Sequence, residues 1–238
     1  MHVGEIWRYP VKSMAGERLD RVEVGPLGLD GDRIVHVEDR RGRVVTARTH
    51  PGLLECKATL DDSGEPRVDG RIWTDPAVRA KVEAIVGSGA RLARNEGAER
   101  FDILPLLVAT DGAIGVFGYD GRRLRPNLVI AGVHGLDERA WPGYCLRIGE
   151  VVIGLRDLRG RCIMTTFDPD TLAQDRQVLT SIVQRFGGTL ALNAAVVRGG
   201  QIRAGNDVEL VSVDACDPEP ATPQSPIETP RPPWNPRR

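Results

Sequence analysis

The stretch of sequence that decides the fold is residues 145–170, which read CLRIGEVVIGLRDLRGRCIMTTFDPD. It opens with two apolar runs, 145–148 and 151–155, which are separated only by Gly149 and Glu150. Short runs rich in Val, Ile and Leu on either side of a two-residue turn are typical of a tight β-hairpin. The chain therefore contains at least one pair of neighbouring antiparallel strands.

Similar short runs recur along most of the chain. We predict further strands at 4–9, 18–24, 33–37, 44–47, 53–60, 71–74 and 128–130, and a last hairpin formed by 190–197 and 208–213. Helical spacing is found only at 77–86 and 172–186, the second after the capping residues 168–171. Many short strands with few helices predict a mainly β (α+β) protein, a closed or nearly closed β-barrel with helices on its rim.

The chain is predicted to have three parts. A small β-rich N-terminal subdomain spans 1–87, a β-barrel domain spans 88–213, and a tail spans 214–238. From Asp217 onward the tail holds eight of the 17 prolines and little apolar surface, so we expect it to be disordered.

Charge and hydropathy exclude two classes of partner. The 238 residues carry a formal net charge of -1, so no overall field exists to hold a nucleic acid, and any anion site must be local. No apolar run approaches the ~20 residues needed to cross a bilayer, and residues 1–7 enter strand-like sequence at once. We expect a cytoplasmic monomer without a membrane span.

The four cysteines, Cys56, Cys145, Cys162 and Cys216, stand far apart, and the sequence has no Cys-x-x-Cys pair. This spacing argues against a zinc knuckle, an iron–sulfur cluster and a disulfide framework. We therefore expect four independent thiols.

Cys162 has neighbours that the other cysteines lack. Arg159 and Arg161 precede it, and Thr165 and Thr166 follow it. A lone cysteine is usually a small buried apolar residue, but cations and hydroxyl donors stabilise the thiolate, which attacks electrophiles or binds soft metals.

Four other segments place cations or polar groups at predicted strand ends, where they could hold an anion or the edge of a heterocycle. Taken alone, Lys12 and Arg33 are more often solvated surface residues, and the segment of Arg125 and Asn127 could equally be a polar strand entry. The four segments are Lys12 with Ser13, Arg33 in 28–33, Arg48 in 46–49, and Arg125 with Asn127 around Pro126.

The order of these segments resembles that of the MOSC-domain family, named for the C-terminal domain of molybdenum cofactor sulfurases, and within it the amidoxime-reducing components. The motifs are Tyr-Pro-Val-Lys-Ser, Gly-Leu-x-x-Asp-Arg, Val-Thr-Ala-Arg, Arg-Pro-Asn-Leu-Val-Ile and Arg-Cys-x-x-Thr-Thr-x-Asp-Pro-Asp-Thr, between residues 4 and 213. The resemblance implies a MOSC-type β-barrel with its N-terminal companion.

The resemblance also implies a cofactor, the molybdenum pyranopterin (molybdopterin), with Cys162 as the ligand to the metal. The residues that it places around the phosphate and the pterin are Lys12, Ser13, Arg33 and Arg125, while Asn127 and Thr165 would bond the pterin or the ligand loop, and Arg48, Arg161 and Thr166 lie close by. Relatives carry serines near the phosphate where this chain has 109–112, and Asp111 there would repel it.

The activity that the resemblance implies is reduction of small N-oxygenated compounds, with substrate choice in rim loops such as 112–123. No cysteine-rich extension follows the barrel, so electrons would come from a separate protein of the ferredoxin or cytochrome/flavin reductase type. Three alternatives remain open: a cofactor carrier without turnover, a sulfur carrier with a persulfide on Cys162, and a metal-free structural barrel.

Overall fold

An eight-stranded sheet forms the largest element of the computed structural model, which describes residues 1–216. From one edge to the other its strands are β17 (Glu209–Ser212), β13 (Tyr144–Ile148), β14 (Val151–Gly160), β15 (Thr189–Arg198), β11 (Leu106–Thr110), β12 (Leu128–Ala131), β1 (His2–Arg8) and β2 (Glu17–Leu19). Neighbours are antiparallel except β11 and β12, which are parallel.

Three small sheets and three helices complete the described part. The sheets are β10 (Arg91–Arg94) with β5 (Val35–Glu38) and β6 (Val44–Val45), β16 (Gly200–Arg203) with β3 (Arg21–Gly25) and β4 (Gly28–Leu29), and β7 (Ala58–Leu60) with β8 (Pro66–Val68) and β9 (Arg71–Ile72). The helices are α1 (Pro76–Val86), α2 (Asp111–Phe117) and α3 (Arg176–Phe186). None of these three is long and apolar enough to cross a bilayer.

The predicted mainly β class and the hairpin at 145–155 are confirmed. β13 and β14 pair across Gly149, whose φ of 59° suits a tight turn, and Leu146 lies opposite Ile153. The large sheet also curls, because the residues before β17 bond the start of β1: the Val3 amide donates to the Asn206 carbonyl at 2.9 Å. This curvature encloses a core to which Leu146 and Ile153 belong.

The two parts predicted at 1–87 and 88–213 share their sheets. β1 pairs with β12, β5 with β10, and β3 with β16, so backbone ladders cross the predicted division in three places. The division itself stays a prediction. The predicted tail lies outside the described residues from 217 onward.

A predicted strand and a predicted helix begin several residues later in the structure than the sequence pattern indicates. Residues 51–55 form a 3₁₀ turn, Pro51–Glu55, because Pro51 favours a first helical turn, and a strand begins only at Ala58. Helix α3 begins at Arg176, not near 172, because the Asp175 carboxylate accepts a hydrogen bond from the Gln177 amide at 2.9 Å.

The predicted hairpin of 190–197 with 208–213 is wrong, although both segments are strands. β15 pairs with β14 and β11, whereas β17 pairs with β13. Strand β16 lies between them in sequence and pairs with β3. The apolar pattern identifies strands, but long-range packing selects their partners.

The expectation of four independent thiols is wrong for two of them. Cys145 in β13 and Cys216 after β17 form a disulfide, with 6.0 Å between their Cα atoms. The two residues are 71 positions apart in sequence, and only the pairing of β13 with β17 brings them together. Cys56 and Cys162 are free thiols.

Helix α3 offers a direct test of the core. Ile182 is fully buried with Phe117 and Phe186, whereas its neighbour Val183 is 56% exposed. We expect Ile182→Ala to lower the free energy of unfolding by about 2–5 kcal/mol, because it removes buried methylenes and leaves a cavity. Val183→Ala should change it by less than about 0.5 kcal/mol. Urea unfolding measures both, and equal effects would contradict the packing of α3.

Candidate functional site

A cavity of about 420 Å³ draws its walls from both halves of the chain. Among the described residues, seven cationic side chains and one carboxylate line it. The cations are Lys12, Arg33, Arg48, Arg123, Arg125, Arg159 and Arg161, and the carboxylate is Asp102. The whole chain carries a net charge of -1, so the positive charge of this cavity is a local feature. Such a cavity attracts anions.

Cys162 lies on the cavity wall, half-buried, between β14 and the 3₁₀ turn Ile163–Thr166. The position of its backbone is fixed by Thr165, whose amide and hydroxyl both donate to the Cys162 carbonyl, at 3.0 and 2.9 Å. The loop therefore presents a free thiol to the cavity from a held backbone.

Arg48 brings a cation to the Cys162 thiol. Burial alone would lower the pKa of Arg48, but the charge of Asp102 and a hydrogen bond with Cys162 outweigh burial and raise it. The guanidinium therefore stays charged beside the sulfur.

Arg125 is held against Tyr9. Its guanidinium carbon lies 4.2 Å from the centre of the Tyr9 ring, and it donates to the Met14 carbonyl at 2.7 Å. Burial lowers the pKa of Arg125 to about 10 and raises the pKa of Tyr9 to about 12. At neutral pH the pair is thus a cation on a neutral ring.

Asp32 holds several residues near the cavity in place. This fully buried carboxylate accepts from the Tyr9 amide at 2.8 Å and from the Asn127 side chain at 3.2 Å, and it pairs with Arg33. Asn127 also accepts from the Leu107 amide at 3.1 Å. The Asn127 side chain thus holds the backbone of Leu107 and also lines the cavity.

Arg161 carries an unused donor. Its terminal nitrogen donates to the Leu124 carbonyl at 2.7 Å, but its buried Nε has no partner among the residues described. Burial lowers the pKa of Arg161 to about 10. A buried donor without an acceptor is costly, and a bound ligand would relieve that cost.

Three of the predicted site residues have strained backbones. Ser13, Arg33 and Arg125 have φ of 70°, 56° and 55°, in the left-handed region that glycine prefers. Each such conformation costs on the order of 1–2 kcal/mol. Strain of this kind clusters at functional sites, where the surrounding structure enforces it.

The structure brings most of the predicted residues to one cavity. Those on its wall are Lys12, Ser13, Arg33, Arg48, Arg125, Asn127, Arg161 and Cys162. Thr165 and Thr166 are not on the wall. Both are buried within the 3₁₀ turn Ile163–Thr166, and the Thr166 hydroxyl donates to the Ile163 carbonyl at 2.6 Å. The geometry therefore gives both threonines a supporting position, and their contact with a cofactor stays a prediction.

The role expected for Asp111 does not apply. Its carboxylate accepts from the amides of Gly112, Gly132 and Val133 at 2.8 to 3.0 Å, and it does not line the cavity. The predicted rim loop 112–123 is helical up to Phe117, and only its last residue, Arg123, reaches the cavity.

Asp102 is a charged residue of the cavity wall that the sequence analysis missed. Its carboxylate lies 2.8 Å from Lys12 Nζ and 3.7 Å from an Arg159 nitrogen, and it also pairs with Arg48. In sequence it is a single acid ahead of β11, with no local pattern to mark it. Only the fold shows that it neutralises part of the cation cluster.

The chain belongs to the MOSC family, a family associated with the molybdenum cofactor. The family's MOSC N-terminal beta barrel domain matches residues 1–97, and its MOSC domain matches residues 113–209. The second match contains Cys162, and the first contains Lys12, Arg33 and Arg48.

Named relatives share about a quarter of the sequence. The chain is 26% identical to mitochondrial amidoxime reducing component 2 of Macaca fascicularis, over 74% of this chain and 69% of that protein. It is 25% identical to mitochondrial amidoxime-reducing component 1 of Mus musculus, over 74% and 68%. Among solved structures, the YUAD protein from Bacillus subtilis matches with a TM-score of 0.50 and 12% identity, over 89% of this chain and 95% of that one.

The position of Asp102 generates a prediction about anion affinity. Partial burial disfavours its charge, but the hydrogen bond and charge of Lys12 and the charge of Arg48 hold its pKa below the ordinary value. It is therefore ionised at pH 5 and above and repels anions there. We expect Asp102→Asn to bind inorganic phosphate at least about fivefold more tightly, because two unit charges about 4 Å apart repel by about 1 kcal/mol even in water.

Isothermal titration calorimetry between pH 5 and 8 measures this effect. The exposed Asp62, which is not on the cavity wall, provides the control Asp62→Asn. Equal phosphate affinity in the native protein and Asp102→Asn would show that the carboxylate does not compete with anions.

Proposed function

We propose that the cavity binds the molybdenum cofactor, with Cys162 as its protein ligand, and that the protein reduces N-oxygenated compounds. The observation that carries this proposal is a free thiol on the wall of a cavity with seven cationic side chains. A phosphorylated cofactor with an electron-rich metal chelate requires both features, converging positive charge and a soft ligand.

The composition of the site supports a metal that arrives with most of its ligands. Within residues 1–216 no group of three or more His, Cys, Asp or Glu side chains could hold a metal ion. Cys162 would therefore complete a coordination sphere supplied mainly by the cofactor. The unpartnered Nε of Arg161 and the strained backbones of Ser13, Arg33 and Arg125 also fit a cavity shaped for a ligand.

Different residues of the site would hold different parts of the cofactor. Arg33 and Arg125, each stacked near the Tyr9 ring, are rigid donors suited to a phosphate or the edge of a pterin. Lys12 and Ser13 add an ammonium and a hydroxyl next to them on the wall. Thr165 fixes the loop, so that the Cys162 sulfur keeps one position.

The reaction balances as one N–O bond broken and one water formed: a hydroxylamine takes up two electrons and two protons and yields an amine and water. When bound, the cofactor supplies the oxygen-atom and electron transfer chemistry. The chain holds the ligand sulfur, and Arg48 keeps positive charge beside it. The electrons come from a separate redox protein, and the relatives named as amidoxime reducing components support this reaction class.

The ligand role of Cys162 is tested by metal analysis of protein from a host that makes the cofactor. We expect about one molybdenum per chain in the native protein. In Cys162→Ser we expect activity to fall by more than the about 10- to 100-fold that is typical when a residue supporting a metal ligand is replaced. The control is Cys56→Ala, which removes the other free thiol, buried in a separate core. Equal molybdenum and activity in native protein and Cys162→Ser would refute the ligand assignment.

The same preparations separate the rival functions. Stable molybdenum without reduction of any N-hydroxylated substrate by a small-molecule reductant would favour a cofactor carrier. Protein without molybdenum, carrying one additional sulfur on Cys162 by mass spectrometry, would favour a sulfur carrier.

A further inference from the structure

A second, open cavity of about 730 Å³ lies beside the site, between the β5–β6 hairpin and the C-terminal end of α1. Its walls include Arg40, Arg41 and Arg43 from the hairpin, together with Val44, Thr49 and His50. We name these six residues the hairpin surface. It is basic, concave and outside the cavity that holds Cys162.

The positive charge of the hairpin surface is largely uncompensated. Asp39 is engaged by Arg43 at 2.6 Å, and hydrogen bonds from the Arg43 backbone and side chain lower the pKa of Asp39 to about 2. Arg40 and Arg41 are exposed, and within residues 1–216 neither has an ion-pair partner. Two arginines are therefore available to a partner's carboxylates.

The hairpin surface also has an apolar centre. Val44 is 53% exposed and lies in β6, an edge strand that pairs only with β5 in the described part of the chain. An exposed apolar side chain that shares a surface with arginines is compatible with a protein interface, where Arg is enriched and the rim is polar. The charges would steer the partner and the valine would contact it.

One turn connects the hairpin surface to the site. Thr49 and His50 line the hairpin surface, whereas Thr46 and Arg48 line the cavity around Cys162. The turn is rigid, because the Thr49 and His50 amides both donate to the Thr46 carbonyl at 3.1 Å. A protein docked on the hairpin surface is thus separated from Arg48, which lines the same cavity as Cys162, by a single turn of backbone.

We infer that the hairpin surface docks an acidic electron-transfer protein, which delivers its electrons to the site across the turn of residues 46–50. The inference rests on the proposed function, because only a reductase needs such a donor. Each turnover oxidises the donor by two electrons in total and reduces the N–O bond by two, with the two protons taken from water. Electron transfer weakens steeply with distance, so the donor must dock close to the cavity, and Thr49 and His50 of the hairpin surface directly follow Arg48 of the cavity wall.

A protein partner fits this surface better than a nucleic acid does. A nucleic acid is held by many phosphate contacts along a groove, and the chain as a whole is slightly acidic. The hairpin surface offers two available arginines, Arg40 and Arg41, and an exposed valine, which match a small acidic patch.

The test uses a soluble acidic [2Fe–2S] ferredoxin, reduced by its NADPH-dependent reductase, as the electron donor. The test variant is Arg40→Glu/Arg41→Glu. A matched control is Arg71→Glu/Arg79→Glu, because Arg71 and Arg79 are similarly exposed, at 63% and 61% of their side chains, but lie away from the hairpin surface. Measurements are donor binding by calorimetry, KM for the donor, and kcat with dithionite in place of the donor.

We expect the test variant to bind the ferredoxin at least about tenfold more weakly and to raise its KM by a similar factor at low salt, with the difference shrinking at high salt. Turnover with dithionite should be unchanged, because that reductant needs no docking. The control should behave as the native protein.

Two results would overturn the inference: equal ferredoxin binding by the native protein and the test variant, or tighter binding of a short DNA duplex than of ferredoxin at the same salt. Absence of dithionite-driven turnover in the native, molybdenum-loaded protein is a different failure, that of the proposed function. Binding is measured without turnover, so the docking result stands in either case.

Discussion

The concentration of seven cationic side chains around one cavity is the constraint on which the rest of the site depends. Charges removed from water are costly unless they are paired or hydrogen-bonded. The fold meets this cost with nearby acceptors: the buried Asp32 beside Arg33, the partly exposed Asp102 beside Lys12, and backbone carbonyls for Arg125 and Arg161. The acidic side chains neutralise only part of the cluster, because among the described residues one carboxylate faces seven cations on the cavity wall, and the remaining positive charge can hold an anion.

The same requirement explains the strain at the site. Several loops place cations at the same cavity, and this geometry leaves some of their residues in unfavourable backbone conformations. Ser13, Arg33 and Arg125 have left-handed backbones. The surrounding sheets supply the stability that tolerates it, because each loop is anchored at a strand end. Lys12, for example, follows β1, and its amide donates to the Val35 carbonyl of β5 at 2.8 Å.

Contacts between distant residues account for what sequence reasoning missed. The disulfide joins residues 71 positions apart, and the partner of β17 is β13, although β15 is a nearer strand in sequence. Asp102 and Asp32 look like ordinary acids in sequence, because a carboxylate next to an arginine is usually a surface pair. The structure buries Asp32 completely and places Asp102 among the cavity's cations, and both positions depend on the whole fold.

The sequence by itself determined the mainly β class and the hairpin at 145–155, and its resemblance to the MOSC family pointed to Cys162 and most of the cations that line the cavity. These follow from local alternation, turn residues and short motifs, which are set by neighbours in the chain. The tertiary structure alone decided which strands pair and which cysteines are joined. It also decided that Asp102 lies among the cations, and that Thr165 and Thr166 are buried within the turn after Cys162 and do not line the cavity. The physical reason is that these features depend on long-range packing and on the exclusion of water, and neither is encoded in any single segment.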